Sequence, residues 1–122
     1  MSPGDDRSRR GRAIEERVAD WLSGRGFTLL DRNFRSRGGE IDIVAREGET
    51  IVFVEVRSRR ADSPWSPEAS VGPRKQVRLA RAAAAWLRRH GGADRPCRFD
   101  VVAVRVDGDR LRIHHVRGAF VL

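Results

Sequence analysis

Gly39-Glu40-Ile41-Asp42-Ile43-Val44 and, after a short break, Ile51-Val52-Phe53-Val54-Glu55-Val56-Arg57 decide the fold of this chain. Both stretches are rich in β-branched residues, which fit a pleated surface. Both also carry carboxylates where a core strand would carry Val or Ile. The intervening Glu47-Gly48-Glu49 is short enough for a hairpin. Because strand side chains alternate faces, Glu40, Asp42 and Val44 are expected on one face and Ile41, Ile43 and Ala45 on the other. In the second strand Ile51, Phe53, Glu55 and Arg57 share a face. A turn at Gly48-Glu49 sets Asp42 opposite Glu55, whereas a turn at Glu47-Gly48 sets it opposite Phe53 with Glu55 one step diagonal. Either register keeps Asp42, Glu55 and Arg57 together, away from Val52, Val54 and Val56; only an odd slip would mix them.

Two carboxylates at cross-strand distance repel, and one takes up a proton unless a cation intervenes. A hard divalent ion, Mg²⁺ or Mn²⁺, suits such a donor set, because it prefers oxygen ligands and keeps several waters. The competing reading is a structural network in which Arg57 pairs with both acids on a solvated face. Val44, Ile51 and Phe53 on the same face favour a covered site and the metal.

Outward from the hairpin, residues 11–23 have the apolar spacing of an amphipathic helix through Ile14, Val18, Trp21 and Leu22. Glu15 lies in one stripe with Ala19 and Leu22 and so borders the buried face, whereas Glu16 falls on the solvated side. Gly24 and Gly26 supply the helix stop. Residues 27–35, 40–46 and 50–57 read as strands, 59–73 as an irregular loop, and 73–90 as an Ala-rich helix. Strands follow at 99–106 and 110–116, joined by Asp107-Gly108-Asp109. The order α-β-β-β-α-β-β predicts an α/β domain, a mixed sheet of about five strands flanked by helices. Residues 1–10 read as a flexible basic tail and 11–122 as one domain.

The chain has 122 residues, 34% of them charged and 39% hydrophobic, which allows one globular core and excludes a disordered chain. Its net charge of +8 favours polyanionic partners, nucleic acid above all. Among 25 basic residues Lys75 is the only lysine, a bias that GC-rich coding also produces. No apolar run reaches the roughly 18 residues of a membrane span. The N-terminal stretch lacks an apolar secretory segment and Cys97 is the only cysteine, so a cytoplasmic location is expected. Cys97 reads as a core thiol, and His114 and His115 point to opposite faces of one strand, which disfavours joint ligation of one ion. Asp100 beside Arg98 reads as a strand-end partner in preference to a third site acid. Trp21 and Trp86 read as core residues, and Trp65 either stacks on a base or packs over the loop.

Gly39-Glu40-Ile41-Asp42, then Val52-Phe53-Val54-Glu55-Val56-Arg57-Ser58-Arg59, Lys75-Gln76, Arg98-Phe99-Asp100-Val101-Val102 and Ala119-Phe120 resemble the YraN-like family of small bacterial proteins. The resemblance covers nearly the whole chain from Gly11 onward. That family is similar in fold to restriction endonucleases and to Holliday-junction resolvases with the PD-(D/E)xK arrangement. The resemblance implies a restriction-endonuclease-like fold, with Asp42 and Glu55 as metal-binding acids and Glu15 as the first-helix acid brought to the metal. Arg57 stands where that arrangement usually has lysine, and Ile41 stands where it has proline. An arginine there can stabilise charge but cannot act as a base. Resolvase-like relatives are dimers, which implies a homodimer by analogy.

Arg74, Arg78, Arg81 and Arg88 form one helical stripe suited to phosphate contacts, and Lys75 sits at the edge of the buried face near Leu79 and Trp86. Arg59, Arg74, Lys75, Gln76, Arg78 and Arg81 are the candidate nucleic-acid contacts. The expected function is a metal-dependent endonuclease acting on nucleic acid, DNA favoured and RNA allowed, with Asp42, Glu55, Arg57 and Glu15 as its catalytic set. The alternatives are a nucleic-acid-binding protein of the same fold without catalysis, and a basic structural protein whose acids only pair with arginines.

Overall fold

The central hairpin forms in the register of a Gly48-Glu49 turn: Glu47 faces Thr50, Val44 faces Phe53 and Ile43 faces Val54. Gly48 has φ +58°, a conformation that favours glycine. The computed structural model describes residues 3–64, 66, 71–92 and 94–121. Its elements are α1 (Pro3–Ser23), β1 (Thr28–Ser36), β2 (Gly39–Glu47), β3 (Thr50–Arg60), α2 (Pro73–Arg89), β4 (Cys97–Asp107) and β5 (Arg110–Phe120). The five strands make one mixed α/β sheet in the order β1-β2-β3-β4-β5, with β3 and β4 parallel and the other neighbours antiparallel. The parallel pair needs a crossover, and α2 provides it.

Alternation along β3 divides the core in two. Ile51 and Phe53 pack with Leu79, Ala82 and Trp86 of α2, and Val52 and Val54 pack with Val18 and Leu22 of α1. Each fully buried aliphatic or aromatic side chain contributes about 1.5–3 kcal/mol, so the sheet is held from both faces. Glu55 follows Phe53 in parity and emerges on the α2 side, where it is buried.

Four features differ from the sequence expectation. First, α1 begins at Pro3, so most of the expected tail over residues 1–10 has helical backbone. Once an amphipathic segment nucleates a helix, each further residue adds a backbone bond at little cost, and proline suits a first helical position. Second, Cys97 is exposed, because it only opens β4 at the rim of the sheet. Third, Trp21 is half-buried while Trp86 is buried; Trp65 lies outside the described residues. Fourth, strict alternation in β2 fails at Asp42: Ile41 and Val44 share the α2-side cluster, and Ile43 lies in the other. The irregularity sits opposite Asn33, between the pairs Arg32–Ile43 and Phe34–Ile41, and Asn33 has φ +52°. Asparagine tolerates that left-handed conformation better than most residues.

Candidate metal centre

Asp42 stands where β2 and β3 part, one residue beyond the last hairpin pair, Ile43–Val54. Its Oδ2 accepts a hydrogen bond from the Val56 backbone N–H at 2.8 Å, so the side chain closes the strand end that the ladder leaves open. Glu15 approaches the same carboxylate from α1, close enough that its charge helps raise the Asp42 carboxyl. The Asn33 side chain and the Arg32 charge also act on Glu15. On the other side, Lys75 Nζ of α2 lies 2.9 Å from Glu55 Oε1. Asp42, Glu55, Glu40, Lys75, Arg78 and Leu79 line a cavity of about 90 Å³.

The neighbouring cations offset the burial of the three acids only in part. Burial pushes the Asp42 carboxyl up to about 7; the Val56 N–H opposes this and the Glu15 charge adds to it. Burial likewise raises Glu15, and the Asp42 side chain opposes that rise. Glu55 is raised first by burial and then by the Asp42 charge, with Lys75 and Arg57 pulling it back. Hard oxygen donors crowded in a desolvated pocket, their carboxyls all pushed up by burial, fit a divalent cation that would compete with protons for them. Among the described residues, no group of three Asp, Glu, His or Cys side chains is already gathered as an ion would require. Lys75 presently occupies the Glu55 side of the pocket.

The sequence-predicted residues are distributed as follows. Asp42, Glu55 and Glu15 come together through β2, β3 and α1. Arg57 lines a second cavity, beyond the first, together with Glu55, Lys75, Ser58 and Arg59. Arg59 donates to the Ser58 carbonyl at 2.7 Å. Arg74, Arg78 and Arg81 are exposed on α2, and Arg78 also reaches the carboxylate cavity. Gln76 spends its amide on the Val71 carbonyl at 2.7 Å, which ties down the chain entering α2. Asp100 is apart from the site. It is buried and bonded to Arg98 Nε (2.9 Å), His115 Nε2 (2.8 Å) and the Gly118 N–H (2.9 Å), and these partners hold its carboxyl below the usual range despite burial. It locks the irregular end of the β4–β5 pairing.

Two contributions escaped the sequence reading. Asn33 supports Glu15, and the only signal for it was an asparagine inside a strand. The second is the ion pair of Lys75, a candidate nucleic-acid contact, with Glu55. That Lys75 is the only lysine was the available signal.

The chain matches the model of uncharacterised protein family UPF0102 over residues 14–104. A UPF0102 protein of Anaeromyxobacter dehalogenans is 49% identical over 117 residues, covering 96% of this chain and 87% of that one. One from Alkalilimnicola ehrlichii is 52% identical over 101 residues, covering 82% and 79% respectively. A third, from Geobacter sulfurreducens, is 47% identical over 109 residues, covering 88% and 85%. The chain therefore belongs to the UPF0102 (YraN-like) family. Among the described residues no helix is long and apolar enough to cross a membrane.

Proposed function

We propose that this protein is a metal-dependent endonuclease of restriction-endonuclease-like fold that hydrolyses phosphodiester bonds in nucleic acid. The observation that carries the reading is the convergence of Asp42, Glu55 and Glu15, all with raised pKa, at the diverging ends of β2 and β3. Active sites are where burial and like-charge neighbours are arranged to shift carboxylates in a cleft, and that pattern supports a functional reading here. Asp42 and Glu55 would hold Mg²⁺ or Mn²⁺, with Glu15 beside Asp42. Bound there, the ion supplies an acidified water and neutralises charge on a phosphoryl oxygen.

The chain's own residues do the rest. The Val56 N–H holds Asp42 Oδ2 and so orients the carboxylate, with Glu15 beside it. Arg57, permanently charged, offers a counter-charge to a phosphate entering beside Glu55. Arg78 at the rim, with Arg74 and Arg81 along α2, draws in the polyanionic backbone. A net charge of +8 acts in the same direction.

The test is cleavage of branched DNA, linear DNA and RNA in Mn²⁺, comparing wild type with Asp42→Ala and Glu55→Ala. The expected result is cleavage of at least one substrate by wild type and none by either variant. No cleavage of any substrate, or cleavage unchanged in both variants, overturns the reading. Arg57 at the usual lysine position and the Lys75–Glu55 ion pair favour one second reading, a binding protein without catalysis. It predicts salt-sensitive binding that survives loss of both acids.

A further inference from the structure

We propose that Lys75 is a built-in counter-ion of the metal centre: it holds Glu55 until a phosphate draws it away, which makes metal ion and nucleic acid bind synergistically. The inference rests on the metal-dependent reading of the site.

The geometry is that of a detachable partner. Glu55 is almost wholly enclosed, with its side chain 8% exposed, whereas that of Lys75 is 57% exposed. The ammonium therefore reaches the acid from the rim on a flexible four-carbon stem, and it can leave without disturbing packed side chains. Lys75 and Glu55 also line both neighbouring cavities, one containing Asp42 and Arg78 and the other containing Arg57 and Ser58. Movement of the lysine joins the two spaces in front of the carboxylates. Arg78 stands one helical turn further on α2, so a phosphate at the cavity mouth would meet two cations of the same helix.

Charge competition supplies the coupling. A divalent ion on Glu55 and an ammonium 2.9 Å from the same carboxylate repel each other in a poorly solvated pocket. A metal binding alone must expel Lys75 without giving it a new partner. Nucleic acid binding alone must recruit Lys75 while leaving Glu55 buried and unpaired, which is costly. When both bind, the metal satisfies Glu55 and the phosphate satisfies Lys75. Each ligand thus removes the obstacle to the other, and linkage makes the two enhancements equal. A lysine that only stabilises the fold would produce no such coupling.

The experiment is a calorimetric titration of Mn²⁺ into wild type, Lys75→Met and Asp42→Asn at pH 8, with and without a short phosphorothioate DNA duplex that resists hydrolysis. Wild type is expected to bind Mn²⁺ about tenfold more tightly with the duplex than without it. Lys75→Met is expected to bind Mn²⁺ about tenfold more tightly than wild type in the absence of DNA, and to lose most of the duplex enhancement. If Asp42→Asn abolishes Mn²⁺ binding but Lys75→Met binds no more tightly than wild type, or the duplex leaves wild-type affinity unchanged, the counter-ion role is overturned and the metal centre stands. If neither wild type nor Lys75→Met binds Mn²⁺, the metal reading falls and the counter-ion role falls with it. Should Lys75→Met fail to fold, Lys75→Gln and the wild-type comparison decide the question.

Discussion

At the scale of single residues, Asp42 concentrates both the cost and the use of the site. Its carboxyl is raised from 3.8 to about 7, so the folded protein keeps a proton that the unfolded chain releases. Stability must then fall as pH rises from about 4 to about 7 and level off above that, since the native state binds more protons in this window. Glu15 and Glu55 act in the same direction, and Asp100, whose carboxyl is lowered, acts in the opposite one on acidification. Urea denaturation without metal is expected to show wild type losing about 2–3 kcal/mol from the Asp42 contribution between pH 5 and pH 8. Asp42→Asn keeps an oxygen for the Val56 N–H and removes the buried charge, so its stability should change much less over that range. An equally steep loss in Asp42→Asn would place the pH dependence elsewhere. Carboxylates inside two β-branched strands made Asp42 and Glu55 legible in the sequence. Their environment was not, because parity cannot show that Glu15 arrives from another element or that Lys75 faces Glu55.

At the scale of elements, α2 is positioned by close contact with the turn between β1 and β2. A Cβ on Gly39 would lie 2.4 Å from the Arg78 carbonyl oxygen, and one on Gly38 would lie 2.6 Å from the Arg81 Cβ. Trp86 Nε1 donates to Asp31 Oδ2 at 3.0 Å and fixes the same helix to β1 further along. Gly39→Ala must therefore push the Arg78 turn outward, with Lys75 one turn before it. Overpacking of this kind costs about 1–3 kcal/mol. The expected outcome is a lower denaturation midpoint together with weakened coupling between Mn²⁺ and DNA; unchanged stability would show that the helix yields freely. The turn itself falls at Arg37-Gly38, with Gly39 opening β2. That both glycines also admit the backbone of α2 depends on residues about 40 positions away.

At the scale of the whole molecule, the sheet separates two tasks. The α1 face buries aliphatic residues and delivers Glu15 to the strand ends; the α2 face carries the lysine and the exposed arginines. If the arginine stripe contacts phosphates, binding should weaken steeply with salt. Replacing Arg74, Arg78 and Arg81 together by Gln should reduce the slope of log K against log [salt] by about 2–3, close to one unit per lost phosphate contact. Fluorescence anisotropy across a salt series measures it. An unchanged slope would remove α2 from the interface.

Much of this protein was determined by its sequence alone. Alternating β-branched residues and glycine turns specify the strands, and helical apolar spacing specifies α1 and α2. Repeat distances along the backbone set the elements, but parity did not place the acids, because alternation breaks at Asp42 and Arg57 lines the cavity without Asp42. The tertiary structure alone decided which hairpin register forms, that β2 breaks alternation at Asp42, and that Lys75 stands on Glu55. It also decided that Asp100 is a buried anchor and that Cys97 is exposed. Those outcomes depend on how helices and sheet close around buried charge, a competition between desolvation and pairing among residues far apart in the chain.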